Sequence, residues 1–218
     1  MSHALPPLSL LEARIIGVLV EKEKITPDAY PLTVNSLFSG CNQKTSRDPV
    51  MSVSESEIQT ALEELRSRVL VLETYGASGR VLRYAQNFGK CYGLPLASVA
   101  LLAILLLRGA QTVSELRANC ERLYRFDDAS SVEAYLEELA ARASGALVVK
   151  LPKQAGSREH RWVHLLCGEV SLPVDHSPVR DHDASHGPGL EERLAKLEQA
   201  VAEIRAELRA VLDGRSND

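Results

Sequence analysis

One pattern occurs twice in this chain, and the repetition narrows the folds open to it. Ala61-Leu62-Glu63-Glu64-Leu65 returns as Tyr135-Leu136-Glu137-Glu138-Leu139. In each copy an amphipathic helix leads into a β-rich run, a Gly/Ser turn with basic residues, and a second β-rich run. The first copy reads Val69–Tyr75, then Gly76-Ala77-Ser78-Gly79, then Arg80–Gln86. The second reads Ala146–Leu151, Lys153–Glu159 and His160–Leu166. A helix followed by a hairpin with a basic tip is the C-terminal half of a winged helix. Two copies predict a mainly α chain with small antiparallel β-hairpins, arranged as two tandem winged-helix domains. Such pairs grip nucleic acid or protein more often than they catalyse.

A length of 218 residues suits one large domain or two small ones. Hydrophobic residues make up 45% and charged residues 25%, ordinary for a globular chain with two cores. The formal net charge of −4 excludes a global basic field, so any contact with nucleic acid must be local. Met1 to Leu8 lacks a basic region followed by an apolar core, which predicts no signal peptide. The most apolar stretch, Leu94 to Leu107, is too short to span a bilayer. A cytoplasmic protein without a membrane anchor is expected. Cys41, Cys91, Cys120 and Cys167 are too widely spaced for a zinc knuckle or redox motif and read as buried free thiols.

Ser9 and Glu12 have capping-box spacing and open a helix that ends near Lys24, with Leu11, Ile15, Val18 and Leu19 inward. Thr26-Pro27 and Tyr30-Pro31 interrupt it. A second helix is expected from Pro31 to about Phe38, with Leu32, Leu37 and Phe38 toward the core. Gly40 to Val53 reads as a polar loop. Ser54 and Glu57 cap a helix Ser54–Arg68 that buries Ile58, Ala61, Leu62 and Leu65. Leu96–Leu107 is apolar on nearly every side, so it should be buried on more than one face, either as a core helix or as a contact between domains or subunits. Gly109 ends it. Helices Thr112–Leu123, capped by Thr112 and Glu115, and Ser130–Arg142, with Val132, Tyr135, Leu136 and Leu139 inward, complete the second copy. The expected domains are 8–90 and 91–167.

Residues 168–189 hold Pro173, Pro178 and Pro188 without helical or strand period and read as a flexible linker. His176, His182 and His186 lie there beside Asp175, Asp181 and Asp183, but such a segment preorganises no coordination geometry, and no metal site is assigned. In 190–212, Leu190, Leu194, Leu197, Val201, Ile204, Leu208 and Val211 alternate steps of four and three. That is a heptad seam, read as a short coiled coil, and it predicts a homodimer. An amphipathic helix docked on its own protein is the competing reading.

Cys41-Asn42-Gln43-Lys44-Thr45-Ser46-Arg47-Asp48-Pro49-Val50 resembles the signature segment of the YceH-like proteins. The resemblance runs from about Leu8 to Cys167. It takes in Leu8, Glu12, Arg14 and Ile15 of the opening helix, Tyr30-Pro31-Leu32, and Arg80-Val81. It implies the tandem winged-helix fold of a bacterial family of uncharacterised function.

No phosphate loop or nucleophile elbow is present, so neither an enzyme nor a cofactor is predicted. Asn42, Gln43, Lys44, Arg47 and Asp48 form either a structural clamp or a ligand or partner contact. The third helix of each copy is acidic. Glu55, Glu57, Glu63 and Glu64 face Arg66 and Arg68 in one, and Asp128, Glu133, Glu137 and Glu138 face Arg142 in the other. That argues against ordinary major-groove docking. Cations gather instead on the hairpins: Arg80, Arg83 and Lys90 in the first copy, Lys150, Lys153, Arg158 and Arg161 in the second. The leading expectation is a regulatory protein holding double-stranded DNA by its phosphates through these residues together with Asn42, Gln43, Lys44 and Arg47. The alternative is a scaffold module that docks a protein partner.

Overall fold

Three capping boxes fix where helices begin. Ser9 accepts from the Glu12 amide while Glu12 receives the Ser9 amide at 2.6 Å, and Ser54–Glu57 and Thr112–Glu115 repeat the arrangement. The computed structural model describes residues 6–75, 79, 81–153, 157–168 and 199. Among these the chain is mainly helical with two small antiparallel sheets. The helices are α1 (Leu10–Ile25), α2 (Val34–Cys41), α3 (Glu55–Ser67), α4 (Phe88–Tyr92), α5 (Leu96–Arg108), α6 (Val113–Cys120) and α7 (Ala129–Ala140). The strands are β1 (Val71–Tyr75), β2 (Leu82–Gln86), β3 (Gln111–Thr112), β4 (Val148–Lys150) and β5 (Arg161–His164).

The core is shared by both copies of the pattern. Every residue of α1 from Glu12 to Val20 is buried, because α2 and α3 cover one side and α5 the other. In α5, Ala97 through Leu107 are all buried, as its all-round apolarity predicts. α1 and α5 approach closely at Gly17. A Cβ there would stand 2.8 Å from Leu107 Cγ and 2.9 Å from Leu107 Cδ2. Glycine is therefore what lets these two helices meet.

The repeat is visible in the hydrogen bonds. β1 and β2 pair antiparallel from Val71↔Gln86 to Tyr75↔Leu82, and β4 pairs with β5 from Val148↔His164 to Lys150↔Trp162. Each hairpin takes a third, minimal strand on the edge of its second strand. Leu32 exchanges backbone bonds with Tyr84 (3.0 and 2.7 Å), and β3 pairs with β5 through Gln111↔Trp162. The next residue, Thr33 or Thr112, then caps α2 or α6.

This pairing corrects the expected second helix. It begins at Val34 rather than Pro31, because Leu32 spends its backbone groups on Tyr84. Gly40 and Cys41, expected in the loop, close that helix. The helix expected to reach Leu123 stops at Cys120, where the Leu123 and Tyr124 amides both turn back onto the Cys120 carbonyl (2.7 and 2.9 Å). α7 starts after Asp128, which accepts from the Ser131 amide at 2.7 Å. α4 was not foreseen; it anchors through fully buried Phe88, whose ring lies 4.9 Å from Tyr92. Cys41 and Cys120 are buried as expected, but Cys91 is exposed and Cys167 half-buried. The heptad seam and the three linker histidines lie outside the described residues.

Candidate functional site

The signature loop is organised around a buried arginine. The Arg47 side chain is fully covered and all five of its N–H donors are used. Nε donates to Gly40 O (3.2 Å). Nη1 donates to Glu21 Oε1 (3.1 Å) and Ser46 O (2.9 Å), and Nη2 to Glu21 Oε2 (2.6 Å) and Gln43 Oε1. Burial pushes the Glu21 carboxyl up, but hydrogen bonding and charge from Arg47, with help from Lys22, outweigh this and hold it below the ordinary value.

Nearby Arg14 is 1% exposed and donates to Cys41 O (3.3 Å) and Pro49 O (2.6 Å). Asn42 spans the loop: its Nδ2 donates to Val53 O (2.9 Å) and its Oδ1 accepts from the Val53 amide (2.8 Å). The loop also reaches α5. The Asp48 amide donates to Leu107 O (2.8 Å), and Arg108 Nη2 to Ser46 Oγ (2.8 Å). The loop thus ties α1, α2 and the end of α5 together. Lys44 is exposed, without a partner among the described residues.

Both hairpins carry the same arginine clamp. Arg83 Nη1 donates to Pro31 O at 2.8 Å, and Arg161 Nη1 to Ala110 O at 2.7 Å. Each acceptor immediately precedes the minimal strand residue, Leu32 or Gln111. The guanidinium therefore fastens the start of the second helix to the hairpin. Arg161 also forms a two-pronged pair with Glu115, both bonds at 3.0 Å. Lys150 pairs with Glu133 (2.9 Å) and lies 5.5 Å over the Trp162 ring.

The residues expected to grip phosphate therefore divide. Asn42, Gln43, Arg47, Arg83, Lys150 and Arg161 have partners within the protein. Lys44, Lys90, Lys153 and Arg158 are exposed without one among the described residues, and they are spread over the loop, α4 and the second hairpin rather than brought together. Arg80 lies outside the described residues. Acidic Glu55, Glu63 and Glu64 of α3 and Glu137 and Glu138 of α7 face solvent, and Arg66 is paired with Glu73 at 2.9 Å. On the first hairpin, Leu72 (43% exposed), Tyr75 (70%) and Val81 (47%) stand clear of the core.

Glu21 is not singled out by the sequence, and Arg14 enters there only through the family resemblance of the opening helix. Arg14 carried a signal, a cation inside the apolar run Ala13–Val20. Glu21 carried none beyond its position at the end of that run. Among the described residues no helix is long and apolar enough to cross a membrane. No group of three or more His, Cys, Asp or Glu residues there is placed to hold a metal ion.

Residues 8–157 match a family model described as a protein of unknown function, DUF480. A UPF0502 protein of Dechloromonas aromatica is 52% identical across the full length of both chains. A UPF0502 protein of Burkholderia orbicola is 50% identical over 99% of this chain and 91% of its own. One from Leptothrix cholodnii reaches 58% over 76% of this chain and 73% of its own. These matches agree with the YceH-like resemblance of the signature segment.

Proposed function

The chain belongs to the DUF480 family, and from that premise we propose that it is a protein-docking module built from two winged-helix repeats. The winged-helix reading is supported by the order helix, minimal strand, two helices and hairpin, which occurs in both halves. The docking reading is carried by one observation. Where a phosphate grip requires free cations, the first hairpin presents Leu72, Tyr75 and Val81 to solvent, while its Arg83 is bound to Pro31 O. Exposed apolar groups gathered on one hairpin favour a protein surface over a phosphate backbone. The outward acids of α3 and α7 act in the same direction. Self-association through the heptad seam of residues 190–212 would present two such hairpins at once.

The test is affinity capture from the source cell with wild-type full-length protein and with Leu72→Asp combined with Val81→Asp. The expected result is a partner that the wild type retains and the variant loses at unchanged helical content. Equal capture by both proteins refutes the hairpin as the docking element.

DNA binding is the second reading, favoured by Lys44, Lys153 and Arg158, which have no partner among the described residues. Fluorescence anisotropy with random-sequence duplex over a salt series separates the two. Saturable binding that weakens steeply with salt, and is lost on Lys153→Glu with Arg158→Glu, replaces docking with phosphate contact.

A further inference from the structure

A cavity of about 620 Å³ opens between α4 and the turns that flank β4 and β5. Its size lies within the range of small-molecule sites. Its lining is charged in one sense only. Lys90 and Arg142 contribute to it, and none of its described lining residues is acidic. Lys90 is exposed and has no ion pair among the described residues. Arg142 Nη2 donates to Tyr92 O (2.7 Å) and Ser144 Oγ (3.1 Å). That tie uses Nη2 alone. Among the described residues, Nε is buried without a hydrogen-bond partner and no carboxylate pairs with the guanidinium. A buried donor left unpaired on a cation is costly unless an acceptor arrives.

Cys91, Tyr92 and Ser144 add polar atoms to the lining, and the rest of it is apolar or bare backbone. Pro7, Leu147, Leu165 and Leu166 form an apolar wall. Gly93, Gly145 and Gly168 also line the cavity, with φ of 61°, 112° and 102°. Each has open space where a Cβ would stand. Three chain reversals thus meet around one space and leave it free of side chains at those points.

We propose that this cavity binds a small amphipathic organic anion. Its acidic headgroup is held by Lys90 and Arg142, and its apolar body lies on Leu147, Leu165 and Leu166. A carboxylate and a phosphate monoester share the required headgroup chemistry. The site is independent of the docking reading, since neither Leu72 nor Val81 lines it.

The test is isothermal titration calorimetry of the full-length protein with octanoate, octyl phosphate and neutral octanol. The expected result is saturable binding of at least one anion, one per chain, with octanol weaker by about tenfold or more, the worth of one charge-assisted contact. The tighter anion identifies the headgroup. Lys90→Glu should weaken that anion by about tenfold or more. Ala146→Trp, at an exposed lining position, should fill the space and abolish binding. The proposal is overturned by any one of three results: neither anion saturates, octanol binds as well as the anions, or Lys90→Glu leaves affinity unchanged. If Ala146→Trp fails to fold, Lys90→Glu decides, because Lys90 is exposed and its side chain has no hydrogen bond or ion pair among the described residues.

Discussion

Replacing Arg47 by methionine removes the charge and all five donors while keeping an unbranched apolar stem. Glu21, whose side chain is 12% exposed, is then left partly buried without its cation. Breaking a buried pair from one side costs about 3–5 kcal/mol, since the remaining charge keeps its desolvation penalty. The carbonyls of Gly40 and Ser46 lose a donor as well. Glu21→Gln keeps the shape and should cost less, about 1–3 kcal/mol. The double variant removes both charges, so its loss should fall short of the sum by roughly 1 kcal/mol or more.

The assay is urea unfolding followed by circular dichroism, with all four proteins compared near pH 7. For a domain of this size the Arg47→Met loss corresponds to a fall in Tm of roughly 10 °C. The pH dependence follows from the depressed Glu21 carboxyl. A carboxylate with a lowered folded pKa stabilises above its unfolded pKa, and the contribution disappears as pH falls through the folded value. The gap between wild type and Arg47→Met should therefore close in acid below the ordinary glutamate range. A loss under about 1 kcal/mol for Arg47→Met, together with coupling under about 0.5 kcal/mol, would refute the clamp and return the signature loop to ligand or partner contact.

Gly17→Ala should destabilise. Overpacking against Leu107 costs about 1–3 kcal/mol, against about 1 kcal/mol gained in helix propensity, and a thermal melt more stable than wild type would contradict the α1–α5 contact. His164 is pushed down by burial from 6.5 to about 4, and its Nδ1 is buried without a hydrogen-bond partner among the described residues. The unfolded chain therefore takes up a proton below 6.5 that the folded chain refuses until about 4. Stability should be complete above that upper value and fall by about 3 kcal/mol across the window. His164→Gln should flatten that fall in urea midpoints between about pH 7 and about pH 4, and an unchanged slope would exclude His164 as its source. Val69 sits at φ 58° just after α3, with Leu70 N bonded back to Leu65 O at 2.9 Å, a helix end that favours glycine. Relief of a left-handed penalty of about 1–2 kcal/mol exceeds the entropy that glycine adds, about 0.5–1 kcal/mol. Val69→Gly should thus raise Tm by a few degrees, and a lower Tm would count against strain at this position.

Local signals were legible because they depend on neighbours in the chain. Ser9 and Glu12, Ser54 and Glu57, and Thr112 and Glu115 each lie three residues apart, so one helical turn brings them together whatever surrounds them. The hairpins and the inward faces of α3 and α7 followed from periodicity for the same reason. The all-round apolarity of α5 announced burial but not the identity of its cover. Only tertiary structure decided that α1 supplies it, and that Gly17 sets the distance. The candidate site shows the same limit. The signature segment was recognisable by order and type, yet the acceptors of Arg47, Arg83 and Arg161 lie on other elements: Glu21, Pro31 O and Ala110 O. A cation in a sequence looks available until the fold places a carbonyl or carboxylate beside it. Composition thus fixes how much charge the chain carries, whereas long-range packing decides which of those charges remain free to bind anything else.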